Sequence, residues 1–211
     1  MIRRTFTAWR SCQAYCLGIA LVTVTGPAFA DDLAAREAAS RDVAGQLITR
    51  LGETLKKEMS TKGPESAINI CRVKAPEIAG EISRANGWRV TRVSTRVRNP
   101  MLGMPDATER LVLSDFETRA GKGEKYSDMH YSEVVEEGGV HYYRFMKPIP
   151  TQPVCLTCHG DSEQIPEVVK NALDREYPLD QARGYRAGDL RGAVSIKQPM
   201  AIPLRSMAQG Q

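Results

Sequence analysis

Between Asp32 and Met59 the apolar residues Val43, Leu47, Leu51 and Leu55 recur at every fourth position, with Ala44 and Ile48 beside them. That spacing lays one apolar stripe along an otherwise polar helix. Gly63 and Pro64 break the pattern, and Pro64, tolerated in a first helical turn, opens a second helix. In it Ile68, Cys71, Ala75, Ile78 and Ile82 keep helical spacing to about Ala85, before Asn86-Gly87 turns the chain. "WRVTRVST" from Trp88 alternates large and β-branched residues with basic ones and predicts a strand over 88–95 with one exposed face. "RNPMLGMP" (98–105) reads as a loop, and Pro105 with Asp106 starts a third helix to about Glu117. Strands over 131–136 and 140–146 flank Glu137-Gly138-Gly139 as a hairpin. "PIPTQPV" (148–154) holds three prolines in seven residues and reads as a stiff extended arm, not as regular structure. A short helix from Pro166 to Glu176, a loop "GYRAGD" and a last strand over 191–198 complete the chain. The order predicts an α+β domain: an N-terminal helical pair and a mainly antiparallel sheet flanked by helices. No internal repeat or low-complexity segment interrupts it.

The first thirty residues stand apart. Arg3, Arg4 and Arg10 precede an apolar run from Ala14 to Val24, and Ala28-Phe29-Ala30 is a small-x-small cleavage site. Residues 1–30 therefore read as a cleaved export signal, and residues 31–211 as a single domain. Thr23, Thr25, Gly26 and Pro27 interrupt the run where a membrane anchor would continue it. The whole chain has 29 basic and 25 acidic residues. Loss of the three leader arginines leaves 26 against 25, about +1. No like-charge run or basic-aromatic stripe points to nucleic acid, and no second apolar stretch is long enough to span a bilayer. The expected location is periplasmic.

Export also decides the cysteine chemistry. Cys12 and Cys16 leave with the signal, so Cys71, Cys155 and Cys158 remain. The last two belong to "CLTCHG" (155–160). Structural zinc asks for four ligands, usually in two close pairs, and only one pair exists here. A thiol-disulfide oxidoreductase would set C-x-x-C at a helix start after a thioredoxin strand, which a proline-rich approach does not supply. C-x-x-C-H is the haem c attachment signature. Cys155 and Cys158 would each form a thioether, and His159 would be the proximal ligand of one haem c. For the sixth position the residue pattern leaves His130, His141, methionines such as Met101, Met104, Met129 and Met146, and Cys71 open. It ranks the two histidines ahead of Cys71, which on pattern is equally a small buried hydrophobe. Tyr142, Tyr143 and Phe145 read as ordinary core, Arg96 and Arg98 as surface arginines more than propionate partners, and Asp189 as a turn former. Glu133, Glu136 and Glu137 read as a solvated strand edge.

Four motifs, "AINICRVKAPEIA" (67–79), "RNPMLGMPD" (98–106), "CLTCHG" and "GYRAGDLRGAVSIKQP" (184–199), carry a resemblance over roughly residues 40 to 200. The chain resembles a family of exported single-haem c-type proteins, formerly a domain of unknown function and here termed the Tll-type haem domain. The resemblance implies a PAS-like fold with His and Cys axial ligands, and so Cys71 as the ligand opposite His159. A thiolate donor stabilises ferric iron and lowers the potential, and two protein ligands close the iron to oxygen and peroxide. The expected function is low-potential electron transfer to a redox partner protein, with no enzyme activity. The alternative is a redox or gas (NO/CO) sensor acting through a separate partner.

Overall fold

The computed structural model describes residues 27–204. The expected export signal and its two cysteines lie outside these residues, except for Pro27–Ala30, which begin the first helix. No helix among the described residues is long and apolar enough to cross a membrane.

Four antiparallel strands form one sheet: β1 (Arg89–Val93), β2 (Tyr131–Glu137), β3 (Val140–Pro150) and β4 (Leu190–Pro199), in the order β1-β4-β3-β2. Gly138 and Gly139 join β2 to β3 with φ of 60° and 78°. Two positive φ values in a two-residue turn match the twist of the flanking strands, which is why both positions are glycine. Ile196 sits at the centre of the sheet, opposite Val90 on one side and Phe145 on the other.

Each sheet face has its own helices. On one, α1 (Pro27–Lys62) presents Val43, Ala44 and Leu47, and α3 (Ala75–Asn86) presents Ile78 and Ile82, to Val90, Phe145 and Val194. Side chains at alternate positions of the strands point to the other face, where Met146 and Ala193 meet Val112, Leu113 and Phe116 of α5 (Ala107–Gly121). Asp106 accepts a hydrogen bond from the Glu109 N–H, and Glu109 accepts one from the Asp106 N–H, so a reciprocal cap fixes the start of α5. The α+β reading holds, and the arrangement is compatible with a PAS-like domain.

Local expectations change in three places. The second helix is broken into α2 (Pro64–Asn69), a π-turn over Ile70–Lys74 and α3. Pro76 has no N–H to give to Arg72, and its ring would strike that carbonyl in a continuous α-helix; the wider turn, closed by the Ala75 N–H on the Ile70 carbonyl, removes the conflict. The loop at 98–105 contains one helical turn, α4 (Pro100–Gly103), capped by Asn99. Most plainly, β3 runs through Pro148 and Pro150, where an irregular arm was expected. β2 ends its pairing at Met146, so beyond that point the missing proline N–H breaks no ladder bond on that side. The approach to Cys155 is then a 3-10 turn (Pro153–Cys155) running into α6 (Leu156–His159). α7 (Glu167–Glu176) packs Val169, Ala172 and Leu173 on Ile68, beside Cys158.

Candidate cofactor-binding site

A cavity of about 480 Å³ opens between the C-terminal half of α1, the α2–α3 segment and the edge of the sheet at β1 and β4. That volume falls within the range, roughly 300–1,000 Å³, of sites for drug-sized ligands. Its wall is mainly apolar, with Leu55, Met59, Ile68, Val93 and Leu173 among its residues. Cys71, Cys155, Cys158 and His159 all line it. The first comes from the helical wall and the other three from one short turn 84 to 88 residues later in the chain.

The imidazole of His159 is held by the loop that follows α7. Its Nδ1–H donates to the Ala182 carbonyl at 2.6 Å, which leaves Nε2 as the bare acceptor nitrogen. Burial, followed by the nearby Arg191 and Arg98 cations, pushes the imidazole well below its ordinary range, so it is neutral at physiological pH. Arg98 ties the two pieces of backbone together. It donates to the Cys158 carbonyl (2.5 Å) and the Ala182 carbonyl (3.2 Å) and pairs with buried Asp180 (3.1 Å). Asp180 in turn accepts from the Ala182 N–H at 2.8 Å. A ligating imidazole commonly needs such an arrangement on its far nitrogen, because it fixes both tautomer and ring direction.

Gly160 closes the turn for reasons of space. Its φ is −68°, open to any residue, but a Cβ would lie 2.6 Å from Gln164 Oε1 and 2.7 Å from the Leu156 carbonyl. The thiols of Cys71, Cys155 and Cys158 are free and half-buried. Burial pushes the Cys158 thiol up to about 11. Cys71 sits in the π-turn, a distortion found often where a helix serves a site. No cluster of three or more His, Cys, Asp or Glu among the described residues is arranged to hold a bare metal ion.

The other sixth-position candidates lie elsewhere. His130 stacks on Phe145 and meets Arg41 and Glu37, and His141 stands exposed on the hairpin beside Glu136. Met129 and Met146 are core beneath α5, whereas Met101 and Met104 are exposed. Met59, not singled out by the sequence, does line the cavity. Arg96 and Arg98, read as surface residues, are occupied within the fold: Arg96 lies 3.6 Å over the Tyr185 ring and donates to two backbone carbonyls. Arg191 was also missed. Its Nε lies 3.4 Å from His159 Nε2, and only its place just before "GAVS", at the start of a strand, could have hinted at it.

The family model described as Tll0287-like matches residues 30–199. A solved structure, the crystal structure of the cyanobacterial heme-protein Tll0287, is similar with a TM-score of 0.56 and 27% sequence identity, covering 81% of this chain and 96% of that one. No curated protein matches.

Proposed function

The chain belongs to the Tll0287-like family, and from that premise we propose that it is an exported protein that carries one covalent haem c and transfers electrons at low potential. The observation that carries this reading is the convergence of Cys71, Cys155, Cys158 and His159 on one apolar cavity. A relative described as a heme-protein supports the choice of group. The residues fit it. Cys155 and Cys158 would hold the macrocycle by thioethers, His159 offers a neutral Nε2 in a fixed tautomer, and Cys71 would supply a sulfur ligand from the helical wall. When bound, haem supplies one-electron iron chemistry.

The protein's own part is positioning and electrostatics. The Arg98–Asp180–Ala182 network holds His159 in one orientation whatever the charge in the cavity. The mainly apolar lining lowers the polarity of the surroundings and strengthens the field of each fixed charge. With haem bound, a sulfur donor from Cys71 would favour the ferric state and so a low potential. No catalytic residue is assigned.

Exported protein, made together with a haem c attachment system, should exceed the mass of its polypeptide by one haem and keep it through acid-acetone extraction. Combined Cys155→Ala and Cys158→Ala should abolish that added mass. Covalent haem that persists in the double variant rejects the reading. Unchanged axial ligands across a redox titration fit a carrier; loss of Cys71 on reduction with uptake of CO or NO replaces the carrier with a sensor.

A further inference from the structure

Arg92 and Arg191 both line the cavity, and no aspartate or glutamate is among the residues that line it. Arg98 and Arg89 are also on this wall: Arg98 has Asp180 as its counter-charge, and Arg89 lies within Coulombic reach of Asp106. Among the described residues no acidic group is close enough to Arg92 or Arg191 to form an ion pair, although Arg92 and Arg98 both lie within Coulombic reach of Arg191. Arg92 is exposed and Arg191 half-buried, so two positive groups without a carboxylate partner face one apolar wall and would both attract an anion that enters it.

Arg191 is aimed there by the backbone. Pro150 pairs with Leu190 and Ile149 with Gly192, so Arg191 is the extra residue of a bulge, a device that redirects a side chain. Gly192 makes the bulge possible: its φ is 153°, and a Cβ would lie 2.3 Å from the Val93 carbonyl oxygen. The guanidinium is then steadied by Ser94 Oγ, which accepts from Nη1 at 3.1 Å, and by the Tyr185 ring at 5.2 Å. Arg92 reaches the same wall from the edge strand, opposite Val194. Arg191 Nε–H is directed at His159 Nε2, whose single lone pair cannot serve both this donor and an iron.

We propose that Arg92 and Arg191 form the carboxylate-binding site of the cavity, pairing with the two acidic arms of the porphyrin, and that Arg191 guards His159 Nε2 until a carboxylate draws it away. The proposal rests on the haem reading and adds the residues that recognise the charged edge of the group. Arginine suits the task because its planar fork matches a carboxylate with two parallel hydrogen bonds.

The test titrates the cofactor-free full chain with iron protoporphyrin IX and, separately, with its dimethyl ester, in which both carboxylates are blocked. Wild type should bind the free acid about tenfold more tightly than the ester or better. Arg92→Gln and Arg191→Gln should each lose most of that preference, Arg191→Lys should keep part of it, and Arg84→Gln, on the exposed side of α3, should keep all of it. Arg92 is exposed, so its variant folds independently of what Arg191 does for the bulge. Equal binding of the two porphyrins by wild type, or a full preference in both glutamine variants, overturns the carboxylate site while leaving haem binding intact. Failure of wild type to bind either porphyrin overturns the haem reading itself. In the cofactor-free chain the Nε2 resonance of His159 should move in Arg191→Gln and stay fixed in Arg92→Gln; an unmoved resonance in the former overturns the guard.

Discussion

Arg144 and Arg191 are both set into the sheet, yet their surroundings are opposite. Arg144, on the α5 face, meets Asp106 at 2.5 Å, Glu137 at 3.4 Å and Glu109 at 3.6 Å, and Ser195 Oγ–H donates to Glu109 at 2.6 Å. Every charge there is answered by another within the chain. Arg191, at the far end of β4, has a hydroxyl, an aromatic face and a neutral imidazole, and no carboxylate among the described residues. A buried polar network that closes on itself needs nothing more, whereas one left open beside a cavity is placed to take a partner from outside, water or ligand. The comparison also separates the two helical faces: α5 runs unbroken over its core, whereas the cavity wall is interrupted by a π-turn at Cys71.

If the α5 face is structural, breaking its network should have the largest effect on stability. Arg144→Ala leaves Glu109 buried without its cation and should cost about 4 kcal/mol in urea unfolding, while the cavity still accepts haem. Asp180→Asn is the matching cut beside the cavity and should cost about 2–3 kcal/mol at pH 7. Its pH dependence has a definite sign. Burial raises the Asp180 carboxyl, but the Arg98 cation and hydrogen bonds from Arg98 and Ala182 outweigh burial and hold it below the ordinary range. The stabilisation it gives is thus complete above the unfolded value of about 3.9 and is lost as pH falls through the lower folded value. Wild type and Asp180→Asn should converge in strong acid; curves that stay parallel from neutral to acid pH would show that the ionised carboxylate contributes nothing.

Gly192→Ala should cost about 1–2 kcal/mol, through the backbone contact at Val93, and should also reduce discrimination between the porphyrin acid and its ester by shifting Arg191. An effect on stability alone would sever the bulge from the cavity. Cys71→Ser should be the mildest change in the cofactor-free chain, under about 0.5 kcal/mol, because the thiol is half-buried and unpaired. In the loaded protein the same substitution should remove thiolate features from the ferric spectrum and raise the midpoint potential. A spectrum and potential identical to wild type would reduce Cys71 to part of the wall.

What the sequence made legible was local. The four-residue stripe of α1, the double glycine of the hairpin and the alternation of β1 are read directly, because helix and strand periodicity are set by backbone geometry within a few residues. "CLTCHG" was legible for the same reason, its three functional side chains being fixed in spacing by one turn of chain. The π-turn was concealed in a pattern that looked continuous, and Pro148 and Pro150 hid the length of β3 because proline is tolerated only once the neighbouring strand is known to have ended. Pattern alone ranked His130 and His141 above Cys71 for the sixth position; the resemblance pointed to Cys71, and the fold sets Cys71 on the cavity while keeping both histidines off it. Which carbonyl holds His159, which arginines find carboxylates and which face the cavity without one were decided only by the tertiary structure. Those pairings join residues such as Arg98 and Asp180, or Ser94 and Arg191, that are more than eighty positions apart. Their register follows from how the sheet and helices close on each other, and no local rule of spacing encodes that.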